Sequence, residues 1–176
     1  MAGKLVLVLG GARSGKSRFA QQMAADMAGK VLFVATAEAG DEEMRARIAR
    51  HRESRPAGWR TMEVTDGLGP RLKAGVGDAS VVLIDCLTLL VSNVMGGARL
   101  ETAEKRVLGE IEELIGAIGQ LEASFIIVSN EVGLGLVPDN RLGRDFRDLA
   151  GRANQLVARA SSEVYFMIAG LPLKLK

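Results

Sequence analysis

The chain has 176 residues, room for one domain whose core withdraws roughly 70% of the unfolded surface from water. Hydrophobic residues make up 48% and charged residues 25%, a globular balance with no run of about 18 apolar residues, which excludes a helical membrane span. A net charge of +2 is too small to argue for a nucleic-acid partner, and the one cysteine, Cys86, excludes an internal disulfide and a zinc site built from cysteines.

The chain opens with a strand-length apolar run, Leu5–Leu9, and then reads Gly10-Gly11-Ala12-Arg13-Ser14-Gly15-Lys16-Ser17 before a helical pattern at Lys16–Ala28. G-x-x-x-x-G-K-[ST] between a strand and a helix is a phosphate cradle. The glycines let the backbone curl until successive N–H groups converge on one phosphate, and the helix N-terminus adds partial positive charge. Lys16 is expected to reach the β- and γ-phosphates and Ser17 to ligate Mg²⁺. Because Met1–Lys4 runs straight into this strand, no cleavable leader is expected, and the expected compartment is the cytoplasm.

A second strand is predicted at Val31–Ala35, followed by Thr36 and Ala37, which either contact a ligand or satisfy a turn. Asp41–Ser54 reads as a helix with an acidic first turn, on which Met44, Ile48 and His51 share a face and Arg47, His51 and Arg55 follow an i, i+4, i+8 line. Six arginines fall between Arg45 and Arg60. His51, the only histidine, has two readings here: a packing residue beside Met and Ile, or a neutral imidazole whose protonation the surrounding arginines oppose. Spacing does not choose between them.

Trp59–Val64 is a weaker strand, and the Gly-rich stretch from Gly67 to Gly77 is most simply a poorly formed helix between two loops. Strand Val81–Ile84 ends at Asp85, which either sits near the Mg²⁺ of a P-loop or caps the next helix, Thr88–Met95. A helix at Thr102–Leu121, a strand at Phe125–Val128 followed by Ser129, Asn130 and Glu131, which either contact nucleotide or substrate or satisfy a turn, a helix at Asn140–Ser161 and a strand at Val164–Ile168 complete the alternation. The tail Leu171–Lys176 is expected to add an antiparallel edge strand guarded by its lysines. Apolar strands separated by helices predict a three-layer α/β fold, a mostly parallel sheet covered on both faces, with residues 1–176 forming one domain.

Gly10 to Arg18, Ala35-Thr36, the stretch from Asp41 through His51-Arg52 with Arg55 and Trp59, Leu83-Ile84-Asp85-Cys86-Leu87-Thr88, Val128 to Arg141 and Phe146 to Gln155 resemble, in this order, a known family. It is that of the bifunctional adenosylcobinamide kinases and adenosylcobinamide-phosphate guanylyltransferases of cobalamin biosynthesis. The resemblance implies a RecA-like P-loop fold, a trimer, ATP or GTP as phosphoryl donor to adenosylcobinamide, and GTP as guanylyl donor to the resulting phosphate. It also implies that the guanylyl group passes through a covalent intermediate on His51. Nucleotide contacts carried onto matching positions are Gly10, Gly11, Ala12, Arg13, Ser14, Gly15, Lys16 and Ser17, then Ala35, Thr36, Ala37, Arg52, Glu53, Ser54, Arg55, Glu63 and Asp85. Two rivals stay open at this level. An ordinary P-loop small-molecule kinase would leave His51 inert, and a non-enzymatic nucleotide-dependent regulator would have no phosphate acceptor.

Overall fold

The computed structural model describes residues 3–27, 29–38, 42, 45, 49, 55–96 and 100–176. In chain order the elements are β1 (Leu5–Gly10), α1 (Lys16–Asp26), β2 (Val31–Ala35), β3 (Arg60–Glu63), α2 (Leu68–Gly75), β4 (Val81–Asp85), α3 (Leu87–Met95), α4 (Leu100–Ile118), β5 (Ser124–Asn130), α5 (Arg141–Ala160), β6 (Glu163–Ile168) and β7 (Leu171–Lys174). Most of the helix expected at Asp41–Ser54 lies outside the described residues.

One sheet of seven strands runs in the order β3-β2-β4-β5-β1-β6-β7, parallel except for the antiparallel pair β6–β7. Strands β1, β2 and β4 are buried up to Asp85, the partly exposed last residue of β4, because both faces are covered. On one face Leu7, Val34, Ile84, Phe125 and Ile127 pack against α2, α3, α4 and α5; on the other Val8, Phe33, Leu83 and Ile126 pack against Ala20 and Ala24 of α1. Each fully buried Leu, Ile or Phe here contributes about 1.5–3 kcal/mol relative to exposure.

The stretch after Gly67 corrects the expectation of a poorly formed helix. α2 is a full two-turn helix whose Leu68 and Leu72 are buried under the sheet. Its N-terminus lacks a cap of its own; instead the Glu110 carboxylate of α4 accepts from the N–H groups of Gly67 (3.1 Å) and Leu68 (2.7 Å). A cap supplied from 43 residues away leaves no local signature.

The tail forms the antiparallel strand β7 at the edge of the sheet, and both of its lysines are exposed. Lys174 pairs with Glu163 at 3.2 Å, and Lys176 donates to the carbonyls of Ala158 and Arg159 at the C-terminus of α5, where a cation suits the helix dipole. Glu163 accepts from the Tyr165 hydroxyl (2.7 Å), Lys4 (3.1 Å) and Lys174 (3.2 Å), tying the chain's two ends together. These donors, Tyr165 first, hold its carboxyl down at about 2. A depressed carboxylate stabilises the fold fully above its ordinary value of 4.5 and loses that contribution as pH falls towards about 2. Glu163→Gln should therefore cost about 1 kcal/mol at pH 7, as half-exposed ion pairs do, and the difference in Tm from wild type should shrink between pH 4.5 and 2. A Tm difference that stays constant across that range would refute the assignment.

Candidate active site

Strand register brings the sequence-predicted residues to one edge of the sheet. Ala35 stands opposite both Glu63 of β3 and Asp85 of β4, Asp85 is level with Val128 of β5, and Asn130 of β5 is level with Gly10 of β1. Since β5 lies between β4 and β1, Asp85 stands two strands, about 10 Å, from the strand that feeds the phosphate loop. This is the carboxyl edge of the parallel strands, where open α/β sheets bind ligands.

The loop itself curls as the glycine spacing requires. Gly10 has φ +152° and Gly15 φ +94°, and Arg13 adopts a left-handed φ of 57° between them. A Cβ at Gly10 would stand 2.7 Å from both the Met167 carbonyl and the Ser14 hydroxyl, so no larger residue fits. Lys16, buried at the first position of α1, donates from Nζ across the loop to the Gly11 carbonyl at 2.6 Å. The Ser14 N–H donates to the same carbonyl at 3.3 Å. From outside, the β6–β7 turn braces the loop through the Gly170 N–H, which donates to the Ser14 carbonyl at 3.1 Å. No side chain caps α1, so its N-terminal dipole faces the loop it grows from.

Asp85 is not a helix cap. Cys86 occupies that position on α3, without a side-chain cap bond, and the Asp85–Cys86 peptide is cis. The Asp85 Oδ2 atom is buried and has no hydrogen-bond partner among the described residues. A buried carboxylate oxygen with no donor is costly unless a cation sits against it. No cluster of three or more His, Cys, Asp or Glu exists among the described residues, so a cage of protein ligands is absent there. A carboxylate and a hydroxyl such as those of Asp85 and Ser17 are the oxygen donors Mg²⁺ accepts, because it takes its remaining ligands from phosphate and water.

Of the residues after β2, Thr36 is fully buried and committed to the scaffold. Its hydroxyl accepts from the Cys86 N–H (2.8 Å) and donates to the Cys86 carbonyl (2.7 Å), which locks the ends of β2 and β4 together. Its own carbonyl accepts from Asn93 Nδ2 at 2.8 Å. Ala37, the next residue but one after β2, is partly exposed at the same edge. Arg55 stacks its guanidinium 3.8 Å from the centre of the Phe33 ring and donates to the Thr61 hydroxyl at 3.4 Å, which places it on the α1 face of the sheet. Glu63, at the end of β3, is exposed. His51, Arg52, Glu53 and Ser54 lie outside the described residues.

A further group beside the loop joins Ser129 and Asn130, candidates from their place after a strand, to Thr88 and Asn154. The Asn130 N–H donates to the Thr88 hydroxyl (2.7 Å), Thr88 and Ser129 hydroxyls are 3.1 Å apart, Ser129 donates to Asn154 Oδ1 (2.6 Å), and Asn154 Nδ2 returns to the Asn130 carbonyl (3.2 Å). Because Ser129 spends its proton on Asn154, Thr88 donates to Ser129, and the four residues close a ring in one sense. This ring fixes the end of β5, whose next residue, Glu131, donates its N–H to the Gly10 carbonyl at 3.0 Å. Besides Ser129 and Asn130, the signal in the sequence was Asn154, a polar residue on the otherwise apolar stripe Leu149, Ala150, Ala153, Val157 of α5. The nearby Cys86 thiol has no nucleophilic part at neutral pH: burial, reinforced by Asp85, pushes it up to about 12.

Comparison with known proteins agrees with this geometry. Residues 6–175 match the family model described as cobinamide kinase / cobinamide phosphate guanyltransferase. The chain is 41% identical over 181 residues to the bifunctional adenosylcobalamin biosynthesis protein CobU of Escherichia coli, covering 98% of this chain and 99% of that protein. It is 45% identical over 170 residues to the bifunctional adenosylcobalamin biosynthesis protein CobP of Pseudomonas aeruginosa, with 97% and 96% covered. A solved structure from Pyrococcus horikoshii OT3 shares the fold at 10% identity, with a TM-score of 0.57 over 100% of this chain and 87% of that one. A phosphate loop, a carboxylate two strands away and a family match across nearly the whole length place the chain in the cobinamide kinase / cobinamide phosphate guanyltransferase family.

Proposed function

We propose that this chain transfers the γ-phosphoryl group of ATP or GTP to the terminal hydroxyl of the aminopropanol arm of adenosylcobinamide, releasing the nucleoside diphosphate. It then joins a guanylyl group from GTP to that phosphate, releasing pyrophosphate. The observation that carries this reading is the buried Asp85 Oδ2, without a donor among the described residues, on the same sheet edge as the Gly10–Ser17 loop, within a chain that matches the family from residue 6 to 175.

In the first reaction the loop N–H groups and Lys16 hold the triphosphate and offset charge on its oxygens, while the α1 N-terminus adds its dipole. Ser17 and Asp85 are the residues that would hold Mg²⁺, which when bound neutralises phosphate charge. In the second reaction the imidazole of His51 attacks the α-phosphorus of GTP, a P–N bond forms, and pyrophosphate leaves. The phosphate of adenosylcobinamide phosphate then displaces the histidine. Arg52 to Arg55, Glu63 and Ala35 to Ala37 contact the nucleotide in this reading, and the protein works as a cytoplasmic trimer.

Adenosylcobinamide, GTP and Mg²⁺ incubated with the protein should give adenosylcobinamide phosphate and then adenosyl-GDP-cobinamide on chromatography. Accumulation of the phosphate alone, with no GDP-linked product, would reduce the protein to an ordinary kinase.

A further inference from the structure

Between β5 and α5 the chain passes through a loop, residues 131–140, that exposes large apolar side chains. Leu134 is 79% exposed, Leu136 96% and Val137 65%, and Leu142 in the first turn of α5 is 55% exposed. Four such residues within nine positions make a patch, and a patch of this kind marks a contact surface. Nor is the loop slack. Its root is held by the Glu131 N–H on the Gly10 carbonyl and by the Gly133 N–H on Glu131 Oε1 at 2.8 Å. At its far end Arg144 donates to the carbonyls of Pro138 (3.1 Å) and Asp139 (2.8 Å), and Asn140 caps α5 by accepting from the Gly143 N–H at 2.7 Å. Gly143 lies so close to Pro138 that a Cβ there would stand 2.7 Å from the proline ring. Backbone anchored at both ends holds the leucines outward by construction.

We infer that Leu134, Leu136, Val137 and Leu142 form the surface on which the corrin macrocycle of the acceptor rests while its arm reaches the Gly10–Ser17 loop. This rests on the function proposed above. The acceptor of that reaction is a broad ring with apolar faces and neutral amides on its rim, and its reactive hydroxyl stands at the end of a flexible arm. Such a molecule needs an uncharged apolar platform within arm's length of the γ-phosphate. Residues 132–138, Val-Gly-Leu-Gly-Leu-Val-Pro, carry no charge, and their root is bonded to Gly10 itself. Beside Leu142 a cavity of about 320 Å³ between α3 and α5, lined in part by Met95, Asn140 and Phe146, continues the surface. It is too small to enclose the macrocycle and sized for one of its side arms, so the ring lies across the patch rather than inside the fold.

Corrinoids absorb visible light, so binding of cobinamide to the full chain can be read directly by ultrafiltration. Leu136→Ser and the double variant Leu134→Ser/Val137→Ser should weaken the Kd for cobinamide, and raise its KM, by about tenfold, as expected for loss of one well-packed apolar contact. The KM for GTP, kcat at saturating acceptor and acceptor-independent labelling by α-labelled GTP should stay within about twofold of wild type. Unchanged Kd and KM for cobinamide in both variants would overturn the inference. So would a fall in mass by light scattering, relative to wild type, which would make the patch a contact between copies of the chain. A wild-type protein that neither binds nor converts cobinamide would instead remove the functional reading on which the inference stands.

Discussion

Lys16→Ala should lower both phosphoryl and guanylyl transfer by about 10²- to 10³-fold, because both reactions need the triphosphate seated in one loop with its charge offset. The buried ammonium is the cation that spans the Gly10–Ser17 loop. Asp85→Asn is the cleaner companion. Its Oδ2 atom is buried without a hydrogen-bond donor among the described residues, so exchanging the carboxylate for a neutral group of the same shape removes a desolvation cost and should leave the Tm equal or higher. Activity should move the opposite way, falling by a similar factor as the site loses the charge that would hold Mg²⁺. Steady-state kinetics of both half-reactions beside thermal melts decide the matter. A folded Lys16→Ala or Asp85→Asn protein with wild-type turnover would show that the phosphate or metal role belongs elsewhere.

His51→Ala should abolish guanylyl transfer while leaving most of the kinase step, since γ-phosphoryl transfer needs no protein nucleophile. As His51 is the only histidine among 176 residues, a histidine-bound nucleotide has one address and needs no site mapping. Wild-type protein incubated with GTP labelled at the α-phosphate should keep label through denaturation, in a bond stable to alkali and lost in mild acid; γ-label should not be retained. Cys86, with its thiol pushed up to about 12 by burial, offers no competing nucleophile at neutral pH. Retention of α-label by His51→Ala, or its absence from wild type while GDP-cobinamide forms, would mean direct transfer or a different residue.

The alternation of elements was legible because the central apolar runs are buried strands of a doubly covered sheet: Val31–Ala35 is seen where it was expected, and the other six predicted strands, the tail included, agree to within two residues at each end. Helix ends were less so. α1 stops at Asp26 and α4 spans Leu100–Ile118 rather than Thr102–Leu121, since terminal turns depend on what they pack against. The phosphate loop was also legible, because all its determinants, the glycines, Lys16 and Ser17, are contiguous and act through local backbone geometry. By itself, then, the sequence determined the α/β alternation, the loop and the family resemblance. Tertiary structure alone decided that Asp85 precedes the cap of α3 and has an Oδ2 atom buried without a partner among the described residues, that Thr36 serves the scaffold, and that Lys174 and Lys176 bond to Glu163 and to the end of α5. It alone closed the ring from Thr88 through Ser129 and Asn154 to Asn130. The physical reason is the same in each case: a polar group's role is set by which donor or acceptor lies within about 3 Å, and those partners come from strands and helices tens of residues apart in the chain.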